Sequence, residues 1–309
     1  MNGGYPTMLQ TKSLEYTRSF ENLIRNRLGA GDHSFLEDGS YNSDYYSFPE
    51  GFKGDYKESL AEQNLFRRHG RVLTKVSEGT IQTVTTVAEA RLTGEKMNYP
   101  EDGDEKKRLL FDAYKLATLM KLPLAWVKDM HFDLHRYLKE ELVQRFGDAE
   151  EKLLLNGSGE NEPEGLLQAA ETGVTTAEAT LNSDELIALF FALEPRYRKR
   201  AVWIMNDRTA YFIRTLKDSS GRYLIESDMQ FMLGRPLVIS NFMPDMVAGA
   251  KPLVFADLSY FWLLERTPLS VQVLKEKYIV NGQIGFAAQE RLDGKLIRTA
   301  AAKTLQIKA

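Results

Sequence analysis

Beyond Pro123 the apolar residues fall at helical spacing. Val127, Met130, Leu134, Leu138, Leu142, Phe146, Ala149 and Leu153 keep one face, with Lys, Glu, Arg and Asp on the other. Pro123 stands before the run and Asn156-Gly157 after it, so the pattern predicts one helix of about 29 residues, roughly 43 Å long. Gly157 is expected to take a left-handed cap. A rod of that length is a spine for something else. Upstream the period shortens to two. Val72 to Ala90 is dense in β-branched residues, with Ile81, Thr83, Thr85 and Val87 in approximate alternation, and the pattern returns over Arg108 to Pro123. The polar stretch between them, Arg91 to Lys107, predicts the tip of a long hairpin with few groups of its own to pack.

Past the spine the signals alternate. "NSDELIALFFALEPRY" reads as a helix capped by Ser183 with Glu185 to follow, "AVWIM" as a buried strand and "DRTAYFIRTLKD" as a second helix. "RPLVIS", "PLVFADLSYFWLLER" and "LSVQVLKEK" are strand-like, and the tail from Gly282 to Ile307 alternates around a turn expected at Gly294. Residues 1–60 are poor in apolar periodicity and predict an extended arm with one short helix around "SFENLIRNRL". The sum is a mixed α+β chain with a spine helix and a separate α/β lobe.

Composition narrows the function. A chain of 309 residues with 43% hydrophobic content can bury a substantial core, so disorder is not the default. Net charge is -3, which supplies no basic field for non-specific nucleic-acid binding. There are no cysteines, which excludes disulfides, thiolate metal sites and a cysteine nucleophile. No apolar run reaches the roughly 20 residues of a membrane span, and the first residues lack signal-peptide order.

Catalytic motifs are missing. His131 and His135 stand at i and i+4, a spacing able to grip a metal, but no third ligand is in register and "HFDLH" is not HExxH. "NGSGENEPEG" lacks the GK[ST] ending of a phosphate loop and is acidic, and it lacks the alternating oxygen ligands of a calcium loop. No nucleophile elbow is present. No cofactor, metal or catalytic residue is therefore assigned. Trp126, Trp203 and Trp262 are read as core.

The run "KLPLAWVKDMHFDLHRYLKEELVQRFGDAEEKLLLNGSGENEPEGLLQAA" resembles the major capsid proteins of tailed double-stranded DNA bacteriophages, the family with the Hong Kong 97-type fold. That family leaves its spine helix through a loop of the form Leu-Asn-Gly-x-Gly-x-x-x-x-Glu-Gly-Leu. Leu155, Asn156, Gly157, Gly159, Glu164, Gly165 and Leu166 fit it. "NDRTAYFIRTLKDSSGRY", "LGRPLVIS" and "QERLDGKLIRTAAAKTL" resemble the elements that follow, and the likeness covers about residues 45–309. Thr299 stands where the family commonly has Pro.

The resemblance implies an N-terminal arm (1–60), an extended hairpin loop and the start of a peripheral domain (61–122), and a spine helix (123–165). An axial domain (166–265) and a return to the peripheral domain with C-terminal strands (266–309) follow. It implies subunit contacts through a hairpin tip carrying Arg91, Glu95, Lys96, Lys106 and Lys107, and through a capsomer junction at Lys275, Glu276, Lys277, Tyr278 and Asn281. Lys96 and Asn281 are the candidate pair for a covalent crosslink, with Gly282 occupying the family's Asn position. The expected partners are copies of the chain in pentamers and hexamers, a separate scaffolding protein and a portal. The expected location is a virion assembled in the host bacterial cytoplasm around DNA that is enclosed without sequence-specific binding. An encapsulin-like shell around a cargo enzyme is the alternative of the same fold, and a hydrolase with an unrecognised site is the rival of another class.

Overall fold

In the computed structural model of the chain the described residues are 13–29, 31–32, 36, 46–74, 80–86, 105–217, 223 and 230–309. They form two compact units, each assembled from separated stretches of chain: residues 1–69, 114–152 and 265–292 in the first, residues 70–113, 153–264 and 293–309 in the second.

The first unit begins with helix α1 (Leu14–Ile24). The Ser13 hydroxyl accepts the Tyr16 N–H at 3.0 Å to cap it, and Asn26, at φ 56°, ends it in the left-handed region. Tyr16, Phe20, Leu23 and Ile24 are buried on its inner face, and the Tyr16 hydroxyl donates to the Ser47 carbonyl at 2.6 Å. After the short strand β1 (Tyr46–Ser47) come helices α2 (Glu50–Gln63) and α3 (Leu65–His69). The expected arm with one short helix thus also holds most of α2, and α1 and α2 contribute directly to a core. Two glycines and a buried face reduced to Tyr56 and Leu60 hid α2 from the periodicity.

Strand β5 (Tyr114–Pro123) runs antiparallel to β12 (Gln283–Leu296), in register from Gln283 opposite Pro123 to Leu292 opposite Tyr114. β11 (Phe261–Leu274) pairs with β1 and with β2 (Arg71–Thr74), and completes the order β1-β11-β12-β5. The continuous spine expected from the sequence is broken. Helix α4 (Leu124–Lys128) stops, and α5 (Leu134–Asn156) restarts as a rod of 23 residues. Two aspartates cause the break by bonding to backbone that a helix would use. Asp129 accepts the His131 N–H at 2.9 Å, and Asp133 caps α5 by accepting the Arg136 N–H at 3.0 Å. Met130 is consequently 66% exposed, and His131 leaves the helix that carries His135. Leu134, Leu138, Leu142 and Phe146 pack on α1, α2, β5 and β12. Beyond Phe146 the buried face passes through Glu150 to Leu154, so Ala149 and Leu153 are half-buried.

The second unit contains a sheet in the order β6-β13-β10-β7-β9-β8. These strands are β6 (Glu171–Thr175), β7 (Val202–Met205), β8 (Phe231–Met232), β9 (Arg235–Ile239), β10 (Leu253–Ala256) and β13 (Ala302–Gln306). Pairs β7/β9 and β6/β13 are parallel, while β10 is antiparallel to both of its neighbours. Trp203 of β7 stacks on Phe255 of β10, ring centroids 4.1 Å apart, and gives its indole N–H to the Met232 carbonyl at 2.9 Å. Helices α6 (Leu166–Ala169), α7 (Ser183–Ala192), α8 (Pro195–Arg198) and α9 (Asp207–Thr215) complete the unit.

The cap of α7 is Asn182, one residue before the expected Ser183. Its side chain accepts the Glu185 N–H at 2.9 Å while the Glu185 carboxylate takes the Asn182 N–H, also at 2.9 Å. Asn182→Ala is expected to lower subunit stability by about 1 kcal/mol and Ser183→Ala by much less, measured by urea unfolding. Equal costs would return the cap to Ser183. The expected turn at Gly294 is also absent, because β12 runs through it. A Cβ there would lie 2.9 Å from the Phe261 ring and closer still to Leu154, so this glycine serves packing.

Candidate functional site

The exit from α5 is a closed knot. Gly157 donates its N–H to the Leu153 carbonyl at 2.8 Å, and the Gly165 N–H returns to the Gly157 carbonyl at 2.9 Å. Ser158 and Glu164 form an antiparallel bridge between them. The chain reverses through Gly159 (φ 81°) and Asn161 (φ 60°). Glu162 closes the tip by accepting the Ser158 N–H at 2.8 Å, and hydrogen bonds from Ser158 hold its carboxyl below the usual range. Asn156 donates to the Phe242 carbonyl at 2.9 Å. Asn156, Gly157, Gly159, Glu164 and Gly165 are therefore brought together in one closed loop. Gly157 does not take the expected left-handed cap. It is small because Leu153 and Pro163 carbonyls press against its α-carbon.

The hairpin is present in part. β3 (Thr80–Thr86) and β4 (Glu105–Leu110) pair antiparallel, from Thr80 opposite Leu110 to Thr86 opposite Glu105. Lys106 and Lys107 stand within β4, opposite Val84 and Thr83, rather than at a tip. Arg91, Glu95 and Lys96 lie outside the described residues. The returning strand was expected to run on to Pro123, but Asp112 and Ala113 interrupt it, and β5 belongs to the first unit. Phe111 buries itself with Leu264 and Ile297, flanked by Leu73, Ile81, Leu109 and Trp262. Asp293 accepts the N–H groups of Asp112 and Gly294, each at 2.8 Å, and burial raises its carboxyl above the usual range. The base of the hairpin is thus pinned by apolar contact and a buried carboxylate.

Lys275, Glu276, Lys277, Tyr278 and Asn281 occupy one turn between β11 and β12. It is closed by the Asn281 N–H to the Tyr278 carbonyl at 3.0 Å and by Gly282 at φ 63°. The Tyr278 ring covers Gly285, where a Cβ would come within 2.7 Å, and Lys121 lies 4.8 Å from its centroid. Burial lowers the Lys275 ammonium from its ordinary value. The turn also lifts Ile279 and Val280, 60% and 94% exposed, into solvent. Sequence reasoning passed over both, although two β-branched residues directly before Asn-Gly are the available signal. Trp126 was read as core and is instead 48% exposed, edge-on to Tyr137 and beside Phe132. Among the described residues no group of acids and histidines is arranged to hold a metal ion, and no helix is long and apolar enough to cross a membrane.

The profile of the Phage capsid family matches residues 46–307. The chain belongs to the phage capsid family. It is a capsid shell protein, with the α+β fold of that family. No curated protein matches it. Among solved structures it is similar to the capsid of a native gene transfer agent (GTA) particle, at 24% identity and a TM-score of 0.66, over 81% of this chain and 91% of that one. It is similar to a chain of Gordonia phage Cozz at 13% identity and TM-score 0.59, over 80% and 87%. It is also similar to a chain of the satellite phage P4 procapsid including size determination (Sid) protein, at 12% and 0.57, over 83% and 99%.

Proposed function

We propose that the chain is the major capsid protein of a tailed double-stranded DNA phage and assembles as pentamers and hexamers into an icosahedral shell around packaged DNA. The family match over residues 46–307 carries this reading. In it the first unit acts as the peripheral domain, the second as the axial domain, and the exit knot sets the path of the chain out of the spine. The hairpin reaches across a neighbour, Ile279 and Val280 dock where capsomers meet, and Lys96 and Asn281 are the pair to examine for a covalent crosslink. The work is contact and not catalysis. A separate scaffolding protein and a portal complete assembly in the host bacterial cytoplasm. The size determination protein in the similar P4 procapsid supports a separate partner of that kind.

Negative-stain electron microscopy with light scattering tests the proposal. Closed shells or capsomer rings are the expected result, and their contents, DNA or a cargo enzyme, separate the phage head from a nanocompartment. A monomer that stays monomeric at high concentration, and is indifferent to deletion of residues 91–104, would overturn the assembly reading.

A further inference from the structure

The first unit buries more acid than it can neutralise. Arg67 of α3 gives Glu150 of α5 a two-pronged bond at 2.7 and 2.5 Å, and its remaining nitrogen lies 3.6 Å from Glu265 of β11. Lys57 of α2 reaches the other Glu265 oxygen at 2.8 Å. Beside them stands Glu290 of β12, 1% exposed, with neither carboxyl oxygen receiving a hydrogen bond. The buried Tyr56 hydroxyl of α2 likewise has no partner. The last acid on this side of α5, Glu151, accepts the Leu65 N–H at 3.2 Å. From β5 the residue opposite Glu290 is the apolar Leu116.

The charges Arg67 and Lys57 meet the three carboxyls of Glu150, Glu265 and Glu290, which leaves an excess of one negative charge. One proton closes the balance. A carboxylate that meets no donor in a dry core is unfavourable, whereas a carboxylic acid beside a carboxylate can donate to it. The same cluster fastens α3 end-on to the spine. Asn64 donates to Glu150 at 3.0 Å and receives the N–H groups of Phe66 and Arg67, while Glu151 takes that of Leu65.

We propose that Glu290 is held as a neutral carboxylic acid that lends its proton to Glu150, so that the seat of residues 50–69 on the spine helix is a proton-dependent clasp that loosens when alkali removes that proton. Burial first, then the Glu150 carboxylate, raises Glu290 well above the ordinary carboxyl range, with Arg67 opposing. Burial and then Glu290 raise Tyr56 as well. The sign follows from linkage. Above the ordinary Glu value the unfolded chain has lost its proton while the folded chain keeps it. The stabilisation is therefore complete at low pH and declines as pH rises, until the folded carboxyl itself ionises.

Glu290→Gln keeps the shape and the donor but cannot ionise. With unassembled full-length chain, the folded-to-unfolded ratio of the unchanged protein is expected to fall, relative to that variant, by about tenfold per pH unit from roughly pH 5 upward. Hydrogen-exchange protection over residues 50–69 should fall with it and hold in the variant. Parallel stability profiles overturn the proposal, as does loss of protection that spares residues 50–69. Should Glu290→Gln not fold, infrared spectroscopy of the unchanged protein decides. The carbonyl stretch of an un-ionised carboxylic acid persisting at about pH 8, where ordinary carboxyls are ionised, supports the clasp, and its absence overturns it.

Discussion

Replacing Arg67 with Met is expected to cost the subunit about 3–5 kcal/mol of folding free energy, the range for removing one partner from a buried ion pair. The reason is what remains. Glu150 is fully buried and takes both of its short bonds from this guanidinium, and Glu265 keeps only Lys57. Glu150 is 0% and Glu265 5% exposed, so solvent is poorly placed to replace the lost donors. Arg67→Lys should fall between, because an ammonium cannot supply the two parallel bonds of the fork. The double replacement of Arg67 and Glu150 by Met should recover much of the loss, because an apolar pair of similar volume leaves no orphaned charge. Urea unfolding of the unchanged protein, Arg67→Met, Glu150→Met and the double variant gives the coupling between the two sites. If Arg67→Met costs under about 1 kcal/mol, the pair behaves like a surface bridge and the buried cluster has been misread.

That cluster shows what the sequence could and could not reveal. The apolar stripe Leu134, Leu138, Leu142, Phe146 was legible because it repeats at helical spacing, and "AVWIM" was legible because every residue in it is apolar and the strand is buried on both faces. Glu150 was not legible. A binary reading sends every acid outward, yet the helical period carries the buried face from Phe146 through position 150, where Arg67, 83 residues away, supplies the countercharge. Asp129 and Asp133 broke the spine for a related reason, since a carboxylate on the polar side of a helix looks the same whether it faces water or a backbone N–H. The exit loop could be found from its glycines and the junction turn from Asn281-Gly282. What each glycine does could not be found that way. Gly157 was read as a helix cap and Gly294 as a turn, and only contact distances show that both serve close approach. Exposure of Ile279, Val280 and Trp126 was hidden because apolar periodicity assumes burial.

The exit knot should be as intolerant as the buried pair. Gly157→Ala is expected to lose about 3 kcal/mol or more, the upper end of what overpacking costs. The added methyl would sit 2.7 Å from the Leu153 carbonyl oxygen and closer still to that of Pro163. Both are backbone atoms, and the Leu153 oxygen already accepts the Gly157 N–H, so relief by movement breaks the last bond of the spine helix. Gly165→Ala should behave alike, its methyl lying 2.5 Å from the Gly157 nitrogen and 2.6 Å from the Leu155 oxygen. Gly159 has space but φ 81°, so its alanine variant should lose only the backbone strain of about 1–2 kcal/mol. Gly54, inside α2 with nothing within 4 Å of a new methyl, should gain about 0.5–1 kcal/mol. Because Gly157 and Gly165 press on each other, the double variant should cost much less than the sum, since a knot opened by one methyl no longer excludes the second. The urea midpoints of these proteins rank the effects. Gly157→Ala no worse than Gly159→Ala would mean that the loop yields easily and that the close backbone contacts at Gly157 do not constrain it.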